Sequence, residues 1–263
     1  MNCVVVKIGG HALDSLAPSS PVLIDLAHDV ADLRDRGVNV VVVHGGGPQI
    51  AELLSRVGIE SKFRDGLRIT DVETMRYVLM ALSDVNVRIV AALNDAGLAS
   101  VGLCGADASL LRSESVGEPH DRVGDAPLVD RTILDALWST GFTPVVNPVA
   151  TDKDAEALNC NADAVAGALA AELSADVLVL LSDIDQLLAN VEDPKSAMAT
   201  VSGDEIEAMQ RSGAARDGMT PKLAAARDAL HGGAERILLA NGTRAHALRD
   251  ALARSIPTTE VVR

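Results

Sequence analysis

The chain has 263 residues, which is enough for one large α/β domain with a substantial core and excludes a peptide-sized scaffold. Lys and Arg number 23 against 37 Asp and Glu, and the net charge of −14 argues against nucleic-acid and membrane partners because it repels phosphate backbones and anionic lipids. Hydrophobic residues make up 48% and aromatic residues 2%, which excludes a disordered chain and predicts an aliphatic core with few rings for base stacking.

Cysteine usage and the chain start both predict a cytoplasmic protein. Cys3, Cys104 and Cys160 have no ligand-like spacing, and an odd number cannot all pair within one chain. The first apolar run is too short for a signal peptide, and no stretch reaches the roughly 18 apolar residues of a spanning helix. The acidic, arginine-rich composition fits both a salt-adapted protein and a GC-rich coding sequence.

Short Val-, Ile- and Leu-rich runs alternate with longer stretches that carry apolar residues every three or four positions. This pattern is typical of buried parallel strands joined by crossover helices. We predict strands over 3–8, 39–44, 99–103, 143–147, 177–182 and 236–240. We predict helices over 21–36, 48–57, 72–96, 131–140, 161–173, 203–212 and 220–231, the first of which stops at Gly37.

No linker or internal repeat divides the chain, so we expect a single domain over residues 1–263 with one continuous sheet. The polar stretch 112–125 predicts a loop or a small hairpin. A functional seam is expected near residue 150, between an N-terminal half, 1–150, and a C-terminal half, 151–263.

Two glycine turns directly follow neighbouring predicted strands. They are Lys7-Ile8-Gly9-Gly10 and His44-Gly45-Gly46-Gly47. Open α/β sheets bind ligands at the carboxyl ends of their strands, and glycines there let backbone N–H groups face an anion. Neither turn matches the GxxxxGK[ST] or GxGxxG patterns, which disfavours the usual nucleotide-binding folds.

Three further segments follow in order, GLRITD at 66–71, NCNAD at 159–163 and GMTPK at 218–222. Together with the glycine turns, they resemble the amino-acid kinase family, and within it the branch that phosphorylates N-acetyl-L-glutamate. The resemblance covers nearly the whole chain. It implies a three-layer αβα sandwich with a mainly parallel sheet, and ATP-dependent phosphorylation of the side-chain carboxylate of N-acetyl-L-glutamate in arginine biosynthesis.

The resemblance implies three catalytic residues. Lys7 and Lys222 would supply positive charge to the transferred phosphoryl group, and Asp163 would hold both lysines by ion pairing. Only five lysines occur in the chain, which makes two of them in glycine-bearing motifs notable. Asp163 could instead be a simple N-cap. A carboxylate substrate is already ionised at neutral pH, so no general base is required.

The resemblance also assigns binding residues on both sides of the seam. The N-terminal half would bind the acyl amino acid, and the C-terminal half would bind ATP, with Mg²⁺ carried by the nucleotide rather than by protein ligands. The substrate-binding residues would be Gly46, Gly47, Arg68, Asn159 and Asn161. The nucleotide-binding residues would be Gly9, Gly10, Ser182, Asp183, Gly218 and Met219.

Two segments depart from the family pattern. Gln186 stands where a glycine is usual after the fifth strand, and Gly105-Ala106-Asp107-Ala108 lacks the usual final glycine. Lys7 lies close to the chain start, which leaves no room for the helix that joins arginine-inhibited members into rings. We therefore expect a homodimer that is insensitive to arginine, with its interface in the N-terminal half. His44 is interpreted as polar support for its loop and Cys160 as an apolar filler.

Three alternatives remain open at this point. A kinase of carrier-protein-linked aminoadipate or glutamate would need a basic docking surface, whereas residues 112–125 carry two arginines against four acidic residues. Kinases of carbamate, aspartate, glutamate or UMP share the fold but match less well at GLRITD and NCNAD. A non-catalytic regulator that binds ATP or an amino acid is the third alternative, against which the three catalytic residues argue.

Overall fold

The computed structural model describes residues 1–64, 66–190, 192–212 and 219–262. Within these ranges the helices are α1 (Pro21–Asp35), α2 (Gly47–Arg56), α3 (Val72–Asp95), α4 (Thr132–Ser139), α5 (Ala162–Glu172), α6 (Gly203–Ser212), α7 (Met219–His231) and α8 (Ala247–Leu252). The strands are β1 (Cys3–Ile8), β2 (Asn39–His44), β3 (Phe63–Arg64), β4 (Leu67–Arg68), β5 (Ser100–Cys104), β6 (Leu111–Arg112), β7 (Val123–Gly124), β8 (Leu128–Val129), β9 (Thr143–Asn147), β10 (Val149–Thr151), β11 (Ala157–Cys160), β12 (Val177–Ser182), β13 (Leu187–Leu188), β14 (Ala197–Met198), β15 (Thr200–Ser202), β16 (Arg236–Asn241) and β17 (Thr258–Val262).

The central sheet has the strand order β15-β17-β16-β12-β1-β2-β9-β5. Its pairs are parallel except for β16 with β17. Helices cover both faces, so the fold is the expected αβα sandwich on a mainly parallel sheet. Strands from the first 150 residues lie on one side of the pair β1–β12, and later strands lie on the other.

Every predicted strand and helix forms within the described ranges, and each end lies within one residue of its predicted position. Val-rich strands such as β1 are buried along their whole length, because helices exclude water from both faces. Helix α1 begins with proline, and the chain turns out of it at Gly37, whose φ of 78° is the left-handed conformation that glycine tolerates.

A second sheet, β7-β11-β10-β6-β8, was not expected from the sequence. The predicted loop or hairpin over 112–125 supplies part of β6 and all of β7, so the expectation of one continuous sheet was incomplete. Strands of two to four residues carry too little periodicity to identify, and here their partners lie far away in the chain. Helix α8 was missed because it has only six residues, and β17 was missed because three of its five residues are polar.

The alternation of side chains in β1 and β2 assigns each end residue to one face of the sheet. In β1, Val5 packs in the cluster beneath α5 and α7, whereas Val4 and Val6 pack beneath α1 and α3. We call these the α5 face and the α3 face. Because side chains alternate along a strand, Lys7 follows Val5 onto the α5 face. In β2, Val42 lies on the α3 face, and His44 follows it there.

Helix α3 has the length and apolar composition that a membrane-spanning helix requires, and it alone has them in the part of the chain that the structure describes. In this fold it is a core helix. Asp71 caps its N-terminus by accepting a hydrogen bond from the Thr74 backbone N–H at 2.7 Å. Its buried residues, which include Val85, Asn86 and Ile89, pack against the central sheet.

Candidate active site

A cleft of about 270 Å³ lies where the carboxyl ends of β1 and β2 meet the N-terminus of α5. In the sheet, β1 lies between β12 on one side and β2 on the other, so the order of the strands reverses here. Open α/β sheets usually bind their ligands at such a point. The predicted site residues that line this cleft are Lys7, Gly9, Gly10, Gly46, Gly47, Arg68, Asn159, Asn161 and Asp163.

Three charged side chains meet beside the cleft, and two of them, Lys7 and Asp163, line it. The Lys7 Nζ lies 3.0 Å from Asp163 Oδ1, and the Lys222 Nζ lies 3.2 Å from both carboxylate oxygens of Asp163. All three residues are buried. The N-cap of α5 is Asn161, whose Oδ1 accepts from the Asp163 N–H at 2.8 Å, so the alternative of Asp163 as an N-cap is wrong.

The trio sets two lysine side chains against one carboxylate in a buried position. Burial alone raises the pKa of Asp163, but the charges of Lys7 and Lys222 outweigh it and lower that pKa to about 2. Burial lowers the pKa of Lys222, and the neighbouring Lys7 lowers it further, against the opposing effect of Asp163. One carboxylate therefore holds two ammonium groups side by side, an arrangement suited to a highly charged anion.

Two glycines leave room for charged atoms rather than only forming a turn. A Cβ atom at Gly9 would lie 2.7 Å from the Lys7 Nζ, so the absent side chain gives that ammonium its path into the cleft. A Cβ at Gly10 would lie 2.2 Å from Asp183 Oδ1, and Gly10 also has a φ of 64°. Gly10 therefore brings β1 and the loop after β12 into contact.

Arg68 is held in place from three directions. Its Nη1 donates to Ser61 Oγ and its Nη2 donates to the Gly47 carbonyl at 3.1 Å. Its guanidinium carbon lies 4.7 Å from the centre of the Phe63 ring, a cation–π contact across the β3–β4 hairpin. Burial lowers the pKa of Arg68 without removing its charge. A fixed guanidinium at the cleft wall is suited to a carboxylate.

Asn159 connects the cleft to the second sheet. Its Nδ2 donates to Thr70 Oγ1 at 3.2 Å, and its backbone N–H donates to the Arg122 carbonyl at 2.8 Å. The Arg122 N–H in turn donates to the Thr70 carbonyl at 2.8 Å. Segment 112–125 thus packs against GLRITD. Ser61, Phe63 and Thr70 were not predicted as supports, because neutral residues in loops and in a two-residue strand carry no distinctive pattern.

The predicted nucleotide residues are only partly brought together. Ser182 ends β12, its Oγ is buried, and it has no hydrogen-bond partner among the described residues. Asp183 contacts Gly10, as above. Helix α7 begins at Met219, whereas Gly218 lies outside the described residues. Within the described ranges, no group of three His, Cys, Asp or Glu side chains is placed to hold a metal ion.

Both departures from the family pattern have a structural consequence. The Gln186 Nε2 donates to the Thr258 carbonyl at 2.9 Å and so ties the loop after β12 to β17. Ala108, which replaces the usual glycine, has φ 50° and ψ 24°. That left-handed conformation costs an alanine roughly 1 kcal/mol relative to glycine.

Comparison with known proteins agrees with this geometry. The amino acid kinase family profile matches residues 2–241. Acetylglutamate kinase from Symbiobacterium thermophilum is 38% identical over 93% of this chain and 86% of its own. Acetylglutamate kinase from Prochlorococcus marinus is 39% identical over 93% of this chain and 80% of its own. In structure, carbamate kinase from Giardia lamblia bound to AMP-PNP superposes with a TM-score of 0.69 at 15% identity, covering 99% of this chain and 98% of its own. The chain belongs to the amino acid kinase family.

Proposed function

We propose that this protein transfers the γ-phosphoryl group of ATP to the side-chain carboxylate of N-acetyl-L-glutamate, a step of arginine biosynthesis. One carboxylate oxygen attacks the γ-phosphorus, the bond from that phosphorus to the bridging oxygen breaks, and ADP and an acyl phosphate leave. The observation that carries the proposal is the buried trio of Lys7, Asp163 and Lys222 beside two glycine turns. The relatives named acetylglutamate kinase support the choice of acceptor.

Each residue of the cleft has a role that follows from its charge and position. Lys7 and Lys222 stabilise the charge that spreads over the transferred phosphoryl oxygens, and Asp163 keeps the two ammonium groups in place. Backbone N–H groups at Gly10, Gly46 and Gly47 add neutral donors. The Arg68 guanidinium binds the α-carboxylate of the acceptor, with Asn159 and Asn161 beside it.

The nucleotide lies over the C-terminal half, against Ser182, Asp183, Gly218 and Met219, the last of which begins α7. Mg²⁺ carried by the nucleotide would neutralise charge on the phosphates. Among the described residues that line the cleft, the carboxylate is that of Asp163, and its pairing with two lysines supports a metal held by the nucleotide rather than by the protein.

The protein acts in the cytoplasm as a homodimer that forms through the N-terminal half. Helix α3 exposes Val72, Met80 and Val87, and Val87 is 66% exposed. Exposed apolar side chains on one helix indicate a protein interface. Val87→Glu should convert the dimer into a monomer in light scattering. Leu128→Glu, at a 79% exposed leucine outside α3, is the matched control and should leave the mass unchanged.

The activity is tested by measuring ADP release with N-acetylglutamate, free glutamate, N-acetyl-aminoadipate and carbamate in parallel. We expect strong selectivity for N-acetylglutamate, and a loss of that turnover in Lys222→Ala. Phosphorylation of none of the four acceptors would overturn the proposal. Pull-down of a small acidic carrier protein would favour the carrier-linked kinase instead. In segment 112–125, Arg122 is already paired with Asp152 and Glu156, whereas Arg112 is exposed.

A further inference from the structure

The His44 side chain, at the end of β2, is fully buried and lies between two neutral partners. Its Nδ1 lies 2.7 Å from the Gly45 carbonyl oxygen, and its Nε2 lies 3.0 Å from Asn86 Nδ2 on α3. None of the chemistry described above uses this imidazole. It contacts the residue that opens the second glycine turn, so its state matters for that turn.

The hydrogen bonds of Asn86 assign the position of the ring proton. Asn86 Nδ2 also lies 2.9 Å from the Val145 carbonyl oxygen, which can only accept. That atom is therefore the amide nitrogen, and it donates to His44 Nε2 as well. The His44 proton must then reside on Nδ1, which donates to Gly45. The ring is neutral, in agreement with burial lowering the pKa of His44 to about 4.

The Gly45 carbonyl is thus held towards the protein interior while the Gly45 N–H donates to the Ile8 carbonyl at 2.9 Å. In a planar trans peptide the carbonyl and the following N–H point in opposite directions. A Gly45 carbonyl turned inward to His44 therefore turns the Gly46 N–H outward. Gly45, Gly46 and Gly47 line the cleft, so an N–H directed away from His44 is available to an anion bound there.

Asn86 is held in turn by its packing against Gly102 of β5, which has no side chain. A Cβ atom at Gly102 of β5 would lie 2.0 Å from Asn86 Oδ1, so the asparagine packs directly on that glycine backbone. Helix α3 also closes on the turn itself, since a Cβ at Gly46 would lie 2.8 Å from the Leu82 side chain. The chain of contacts runs from β5 through α3 to the glycine turn.

We propose that His44 and Asn86 are positioning residues for phosphoryl transfer: the Nδ1–H of a neutral His44, oriented by Asn86 over Gly102, aims the Gly46 N–H at the transferred phosphoryl group. The inference rests on the proposed kinase activity. The Gly46 N–H would bind the charge that develops on the phosphoryl group in the transition state. A misaligned N–H therefore lowers kcat and leaves KM for ATP and acceptor nearly unchanged.

Two substitutions at His44 separate its two hydrogen bonds. His44→Asn keeps an N–H donor at the Nδ1 position and so keeps the bond to Gly45. His44→Gln places its amide near Nε2, which keeps Asn86 and loses Gly45. We expect His44→Gln to lower kcat by roughly tenfold to a hundredfold with KM changed less than about threefold. His44→Asn should restore most of that loss. Equal kcat values in wild type and His44→Gln would overturn the inference.

A remote substitution tests the same chain without touching the turn. Gly102→Ala should displace Asn86 and lower kcat in the same way, and combining it with His44→Gln should cause no further loss, because both act through one chain of contacts. Asn94→Leu is the matched control, since Asn94 on α3 also donates to a β5 carbonyl, Ser100 O at 3.3 Å, but lies away from the turn. Additive losses in the double variant would contradict the inference.

Imidazole nitrogen NMR at pH 7 provides a readout that does not depend on activity. We expect a protonated Nδ1 and an unprotonated Nε2 for His44, and the opposite tautomer would overturn the inference. Turnover of the wild type in the same preparation separates the two claims. Turnover that does not respond to His44→Gln refutes only this inference. Absence of wild-type turnover with every acceptor refutes the proposed function and this inference with it.

Discussion

Two buried ionisable side chains, Lys7 and His44, lie at the carboxyl ends of the adjacent strands β1 and β2, and they meet different partners. Lys7 points to the α5 face, where its ammonium group pairs with Asp163 Oδ1 at 3.0 Å. His44 points to the α3 face, where it meets the amide of Asn86 and is neutral. The same burial penalty is thus offset by an ion pair on one face and avoided by deprotonation on the other.

The difference separates two tasks of the candidate site. In the proposed mechanism, the α5 face supplies the electric charge that an anionic phosphoryl group requires. The α3 face would supply orientation through neutral hydrogen bonds, so it would add no charge that competes with the lysines. Substitutions on the two faces should therefore differ in their effects on stability, on kcat and on the response to pH.

The largest effect is expected from Asp163→Asn. The substitution preserves shape but leaves two buried ammonium groups without a counter-charge, which should lower the free energy of unfolding by about 3–5 kcal/mol and abolish turnover. Urea unfolding at pH 7 measures the loss. A change below about 1 kcal/mol would show that Lys7 and Lys222 do not depend on this carboxylate.

Lys222→Ala should act on catalysis more than on folding, because Lys7 still pairs with Asp163. Removing one charged donor from the transferred phosphoryl group should lower kcat by roughly 10²–10³. Steady-state ADP release measures this, with Lys153→Ala as the control because the Lys153 side chain is 87% exposed. An equal loss in both variants would mean a general charge effect rather than a local one.

As the pH falls, the free energy of unfolding should decrease through His44 and through Asp163 over different pH ranges. The folded pKa of His44, about 4, lies below its ordinary value of 6.5, so the unfolded chain binds the proton first as the pH falls. The contribution of neutral His44 is complete above pH 6.5 and is lost between pH 6.5 and 4, about 3 kcal/mol in all. The lowered pKa of Asp163, about 2, makes its contribution complete above its ordinary 3.8 and lost below that value.

The check is urea unfolding of wild type and His44→Asn at pH 7, 5.5 and 4.5. The stability of the wild type should fall more steeply over this range than that of the variant, which has no imidazole at this position. Parallel pH profiles would contradict a neutral, buried His44.

The smallest effect is expected at exposed pairs, which calibrate the buried ones. The Arg56 guanidinium pairs with Glu52 one turn away on α2, and both side chains are more than half exposed. Glu52→Gln should change the free energy of unfolding by no more than about 0.5 kcal/mol, and salt should reduce the difference further. A change above about 1 kcal/mol would remove the distinction between buried and exposed charge in this protein.

Most of the central sheet and much of the cleft could be predicted because their sequence patterns are strong and local. Strands of five or six aliphatic residues and helices of two turns or more are periodic, and Lys7, Arg68 and Lys222 stand out in glycine-bearing motifs. The second sheet could not be predicted, because β10 pairs with β11 and β6 through strands of two to four residues. One feature of the sequence marked Asn86: it is a polar residue on the apolar face of the predicted helix over 72–96.

The sequence by itself determined the alternation of strands and helices, the position of two glycine turns directly after neighbouring strands and, within each strand, which residues share a face. Only the tertiary structure decided what each face meets. Alternation along β1 and β2 is a local property of the backbone, whereas the helix that covers each face depends on how the crossovers pack. Packing placed α5 with Asp163 against Lys7 and α3 with Asn86 against His44, and so made one side chain a cation and the other a neutral donor.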